Sequence, residues 1–226
     1  KLIYMSKNII IAVLLTVCTG SSWVVFPQEP VAAYEITLPK VLSDGMVLQR
    51  NKPIPFWGKS LPGAEIHIAF AGKTKSVTSD NQGNWQVIFP AMEAGGPYTL
   101  EVNNILVQDI LIGEVWLFSG QSNVELPISR VAIKYPEIAT SYSNSQIREF
   151  RTATHYDFNG PLEDLNQGRW KICTQKEIQS FSALAFFFAR GLHEREHVPV
   201  GVMVNAVGGS PLDAWLDETT LRNMPG

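Results

Sequence analysis

The spacing of apolar and polar residues changes character near residue 105. From Ile36 to about Asn104 the apolar residues come in short runs between turn residues. Ile66-His67-Ile68-Ala69-Phe70 alternates with the period of a strand that buries one face, which leaves His67 on the solvated phase. Trp85 to Phe89 and Tyr98 to Val102 supply two further strands. Pro39, Pro53, Pro55, Pro62 and Gly63 punctuate the stretch, and Ala71-Gly72-Lys73 and Asp80-Asn81-Gln82-Gly83-Asn84 carry turn chemistry. Short strands at such regular spacing predict a small β-sandwich.

Beyond residue 105 the runs lengthen. Ile110 to Phe118 is β-branched and aromatic, the composition of a buried strand. Ile147 to Thr152 reads as a second strand, and Tyr135 to Ser145 as a loop with a short helix. Thr174, with Glu177 three residues later, has the signature of a helix-opening capping box. The helix it predicts places Ile178, Phe181, Ala185, Phe188 and Leu192 on one face, widened by Leu184 and Phe187. Val200 to Val207 then forms a nearly continuous apolar strand. A helix leading into such a strand is the repeating unit of a parallel sheet, so the fold class is α/β.

Two of these strands stop in small residues. Ile110 to Phe118 runs into Ser119-Gly120-Gln121-Ser122-Asn123, and Val200 to Val207 into Gly208-Gly209-Ser210. Parallel strands bring such ends to one edge of the sheet, where ligands of open α/β folds bind. The polar stretch from Asp157 to Gly168 is long enough to overhang that edge.

Composition narrows the setting. The chain has 226 residues, 45% hydrophobic and 17% charged, with a net charge of −3 and no basic run. It can bury a sizeable core, and nothing in it suggests a nucleic-acid partner. At the start, Lys1 and Lys7 flank Met5, an apolar run extends from Ile9 to Cys18, and Gly20, Ser21 and Ser22 follow. That order is the order of a secretory signal, and the run is too short to span a membrane. The expected organisation is a signal peptide over 1–22, a linker over 23–35, a β-rich domain over 36–104 and a catalytic layer over 105–226. The signal implies a secreted or periplasmic protein with no membrane contact beyond the signal itself. Its removal leaves Cys173 as a lone thiol, expected as a buried small residue. The sequence sets no oligomeric state.

Three patterns could carry chemistry. His193-Glu194-Arg195-Glu196-His197 matches the helical zinc-binding spacing literally, but it falls where the helix ends before Val198-Pro199. Trp57 and Trp85 could form a sugar platform in the β-rich domain. Ser122 stands at the mouth of the sheet. An α/β-hydrolase elbow would require glycine where Val124 stands.

Four segments together resemble the sialate O-acetylesterase family of SGNH-type serine hydrolases. They are Leu42-Ser43-Asp44-Gly45-Met46-Val47-Leu48-Gln49-Arg50, Ser119 to Asn123, Phe181-Ser182-Ala183 with Val198-Pro199-Val200-Gly201-Val202, and Gly208-Gly209-Ser210-Pro211-Leu212-Asp213-Ala214-Trp215. Val124 replaces the methionine of the family's Ser-Gly-Gln-Ser-Asn-Met, a packing position. The resemblance implies an SGNH-hydrolase-like parallel sheet with helices, present here in part, behind the small β domain. It implies a serine esterase that removes O-acetyl groups from sialic acid or related glycans, with no cofactor or metal. Ser122 would be the nucleophile, and Ser122 and Gly209 (or Gly208) the oxyanion donors. Gln121 and Asn123 would contact substrate. The family takes its base from a later Asp-x-x-His segment and a third donor from another block. No part of this chain matches either, so the chain is expected to be the N-terminal part of such an enzyme. His155 is the remaining candidate base. Acetylxylan esterase and a non-catalytic carbohydrate-binding module are the alternatives. A sialic acid carboxylate would call for Arg130, Arg148, Arg151 or Arg169.

Overall fold

The computed structural model describes residues 35–155, 160 and 162–224. The expected signal peptide, all of the expected linker except residue 35, and part of the polar stretch after residue 156 lie outside the described residues. No helix among the described residues is long and apolar enough to cross a membrane.

One strand joins the two rhythms of the sequence. β7 runs from Ile105 to Gly120, longer than its apolar core predicts. Its first half pairs antiparallel with β6 (Gly95–Val102). Its second half pairs parallel with β10 (Val200–Ala206), in a register that sets Val200 against Glu114 and Ala206 against Gly120. β10 also pairs parallel with β8 (Asn144–Thr152), and β9 (Gly168–Cys173) closes that side antiparallel. On the other side β6 leads to β3 (Glu65–Phe70) and β4 (Lys73–Thr78). The result is one mixed α/β sheet, with three parallel strands where the helix-to-strand spacing predicts them. A two-stranded sheet of β2 (Ile54–Lys59) and β5 (Asn84–Phe89) is separate. Phe56, Phe70 and Phe89 meet edge to face between the layers, with ring centroids 5.0–5.9 Å apart.

The Leu42 to Arg50 segment holds β7 at its bend. Asp109 has φ of 57°, which breaks the regular ladder. Asp44 accepts the Gln108 N–H at 2.7 Å, Gly45 donates to the Gln108 carbonyl, and Met46 accepts from Leu111. The short strand β1 (Val47–Gln49) then runs parallel to Leu111–Gly113. Gln49 accepts the Val115 N–H through its side chain. Arg148, almost fully buried, fills the bend from β8 and donates to the Asp109 carbonyl and, at 2.8 Å, to its carboxylate. An Arg tied up in this way is a structural ion pair, not a free reader of a substrate carboxylate.

The long helix starts later than the capping box predicts. Thr174 Oγ1 does accept the Glu177 N–H, but this closes only a turn, followed by one short 3₁₀ segment over Ile178–Ser180. The helix α4 spans Ala183–Glu196, and Ser182 caps it by accepting the Ala185 N–H. That shift turns the buried stripe to Ala185, Phe186, Ala189 and Leu192. Leu184, expected inside, stands outward at 50% exposure, and Phe188, 37% exposed, packs at the rim against Trp116 and Phe118 of β7. Cys173 lies buried under this helix, and burial pushes its thiol up to about 11.

Candidate active site

Ser122 sits where the parallel strands end. β7 closes at Gly120 with φ of 149°, a backbone suited to glycine, and the chain then turns into the short helix α1 (Ser122–Glu125). On the neighbouring strand, Val207 donates to the Gly120 carbonyl at 3.0 Å, and the chain turns at Gly209 with φ of 82°. Ser122 and the Gly208-Gly209 pair therefore leave adjacent strands at matched positions.

Glu125 fastens the two turns together. Its Oε2 accepts the Gly208 N–H at 2.9 Å. The Gly208 donor is thereby occupied, whereas the N–H of Gly209 has no partner among the described residues. A Cβ on Gly209 would meet nothing within 4 Å, so there is open space beside its Cα. Gln121, Ser122 and Asn123 are all exposed, and their side chains make no hydrogen bond among the described residues. Val124 is half-buried against the helical core, as a packing position should be.

A buried brace fixes α1 from beneath. Glu149 on β8 is fully buried and accepts the Ser182 N–H at 2.6 Å. Ser182 is itself buried, and its hydroxyl donates to the Val124 carbonyl at 2.6 Å. Next to it, Ala183 donates to the Leu126 carbonyl at 2.8 Å, and Ile128 to that of Phe181 at 2.9 Å. The chain that leaves the candidate nucleophile is thus paired backbone to backbone with the entry of α4. Burial pushes the Glu149 carboxyl above the ordinary carboxylate range, against the opposing pull of Arg151 and the Ser182 N–H. Glu149 Oε1 and Arg151 Nε are 3.1 Å apart, but neither atom has a well-directed hydrogen bond. Their attraction is a contact of charges.

The histidines lie elsewhere. His67 is exposed on β3 and bonds Ser76 at 2.8 Å. His193 Nδ1 lies 2.8 Å from the Val198 carbonyl, and His197 has left the helix at φ of 56°. The two rings consequently lose the helical alignment that a zinc pair requires. His155 lines a hollow of about 140 Å³ with Thr152, Asn205 and Asn166, beyond the ends of β8 and β10. Ser122 does not line it. None of the four histidines hydrogen-bonds to the Ser122 hydroxyl. Of the arginines offered for a carboxylate, Arg169 pairs with Glu177 and Arg151 with Glu149, while Arg130 is exposed on the short helix α2 (Ile128–Val131). Among the described residues no group of three or more His, Cys, Asp or Glu could hold a metal.

Sequence reasoning missed Glu125 and Glu149. Glu125 carries no local sign of its role, because its partner lies 83 residues away. For Glu149 the local sign is weak, an acid set between Arg148 and Arg151 in a mostly polar strand, and its partner Ser182 lies 33 residues away.

Known proteins resemble this chain over most of its length. Sialate O-acetylesterases of Homo sapiens and Pongo abelii are each 28% identical to it over 203 residues, or 80% of the chain and 39% of theirs. That of Mus musculus is 27% identical over 78% of the chain. A crystal structure of a carbohydrate acetylesterase from Xanthomonas citri superposes with a TM-score of 0.79 at 37% identity, covering 84% of this chain and 44% of that one. The chain thus spans about two fifths of the length of the curated relatives it matches. No protein-family model matches it.

Proposed function

We propose, with the sialate O-acetylesterase family supported by these likenesses, that this chain carries the nucleophile-bearing part of a serine esterase that removes O-acetyl groups from glycans. The observation that carries the reading is the joint end of β7 and β10, where the Glu125 bond to Gly208 holds Ser122 beside the unengaged Gly209 N–H.

Ser122 Oγ attacks the acetyl carbonyl and expels the sugar hydroxyl, and water then releases acetate from the acyl-enzyme. The developing oxyanion is met by the N–H groups of Ser122 and Gly209, while Gln121 and Asn123 flank the ester. A donor already aimed at the oxyanion is worth on the order of 10²–10³ in rate. The occupied N–H of Gly208 makes Gly209 the better second donor. The base in this reading is the histidine of a later Asp-x-x-His segment, as the resemblance implies, and the protein acts after export, as a secreted or periplasmic enzyme. No cofactor takes part.

The acyl sugar is testable directly. The full-length protein is expected to release acetate from O-acetylated sialosides or from partly acetylated xylan, measured enzymatically as free acetate. Failure to release acetate from every acetylated glycan tried, by a folded full-length protein, would overturn the reading.

A further inference from the structure

We propose that the outer face of the β2–β5 sheet holds a second glycan-binding site, centred on Trp57, which takes a neutral pyranose ring of the polysaccharide at a distance from the ester. The proposal rests on the glycan-esterase reading and goes beyond it by naming the kind of glycan.

Along β2 the side chains alternate strictly. Ile54 and Phe56 turn inward, and Pro55, Trp57 and Lys59 turn outward. Trp85, on β5, is only 3% exposed, so the sandwich buries an indole where packing calls for one. Trp57 is 39% exposed although burial of so large an apolar group would be favourable. It lines a hollow of about 390 Å³, within the range of roughly 300–1,000 Å³ usual for small-ligand sites. Around the indole stand Lys59, Asn84, Glu163 and Asp164. An aromatic wall offers a surface to the C–H groups of a sugar ring, and the amide, ammonium and carboxylates supply donors and acceptors for its hydroxyls.

The wall of this hollow is tied in place. Asp164 accepts the Lys40 N–H at 3.2 Å, and Glu163 pairs with Lys59. The same segment has its other flank on a second hollow: Leu162, Leu165, Asn166 and Gln167 line the space beyond the ends of β8 and β10. The Trp57 hollow and the hollow beyond the ends of β8 and β10 are lined by neighbouring residues of one segment, Leu162 to Gln167, and a glycan longer than one sugar is the ligand that suits such a pair. The charges choose the class of glycan. Two carboxylates face one lysine, an arrangement that repels an anionic sugar such as a sialic acid and accepts a neutral one.

Calorimetry on the folded full-length protein, with xylohexaose and with a sialylated oligosaccharide as probes, tests this. Xylohexaose is expected to bind and the sialylated probe to bind more weakly. Trp57→Ala should weaken xylohexaose binding by at least about tenfold, the scale of losing an aromatic anchor, and Trp57→Tyr by much less. Ile88→Ala, an exposed residue on β5 outside the hollow, should change nothing. In the unsubstituted protein, saturating xylohexaose should slow oxidation of Trp57 by N-bromosuccinimide, read by peptide mass, which needs no variant to fold. No affinity for xylohexaose, equal affinity in Trp57→Ala, or no protection of Trp57 would overturn the site. Because binding is read without turnover, a protein that binds through Trp57 yet releases no acetate would sink the esterase reading and leave this one standing.

Discussion

Replacing Ser122 by alanine in the full-length protein is expected to abolish hydrolysis of p-nitrophenyl acetate and leave the fold intact. The hydroxyl is exposed and makes no hydrogen bond among the described residues, so its loss leaves no cavity and no orphaned partner. Its chemical loss is large, because in the proposed reaction the acyl-enzyme forms on this hydroxyl. Removal of a nucleophile that works with a base usually costs several orders of magnitude, with only binding and oxyanion stabilisation left behind. A thermal midpoint equal to the parent's, with activity at background, is the expected pair of results. Activity within about tenfold of the parent would place the nucleophile elsewhere.

The largest effect on stability is expected at Glu149. Alanine there leaves the buried Ser182 N–H without its acceptor and Arg151 without its counter-charge. Breaking a buried ion pair from one side costs about 3–5 kcal/mol, and the lower end applies because Arg151 keeps 25% exposure. For a protein of this size each kcal/mol moves the midpoint by roughly 2–4 °C, so Glu149→Ala should melt roughly 6–12 °C below the parent. Glu149→Gln keeps an acceptor for Ser182 but also leaves Arg151 without its counter-charge, and should melt between the alanine variant and the parent at neutral pH. The raised carboxyl fixes the sign of the pH dependence. Its contribution is complete below its unfolded value and is lost as pH rises through the folded value. The parent should therefore gain on the glutamine variant as pH falls toward the carboxylate range. Equal midpoints for the alanine variant and the parent would show that the brace does not bear on the fold.

What could be read from the sequence was whatever is local or continuous. The β7 and β10 runs, the small-residue turns after them and their parallel pairing follow from apolar stretches and glycine positions. β4 escaped notice because Lys73 to Thr78 is almost wholly exposed and therefore polar, and its strand conformation comes from pairing with β3. β2 was hidden by Pro53, Pro55 and Gly58, residues that ordinarily argue against a strand. The helix start was misplaced because two capping signals stand close together, at Thr174 and Ser182, and the tertiary bonds of Ser182 to Glu149 and Val124 decide between them. Arg148 was offered to a substrate because its partner, the bend at Asp109, comes from a strand 39 residues away. The turns that carry Ser122 and Gly209 were legible through glycine and small-residue positions, while the roles proposed for the two residues rest on the family likeness. The Glu125 clamp and the Glu149 brace depend on contacts that no local pattern announces.

The claim on which the rest depends is that Ser122 is the nucleophile, and covalent labelling tests it most directly. The folded full-length protein would be treated with a fluorophosphonate, digested and mapped by mass. A single adduct on the peptide containing Ser119 to Asn123, localised to Ser122 and formed in step with the loss of esterase activity, is the predicted result. Loss of activity with the adduct on any other residue would contradict it.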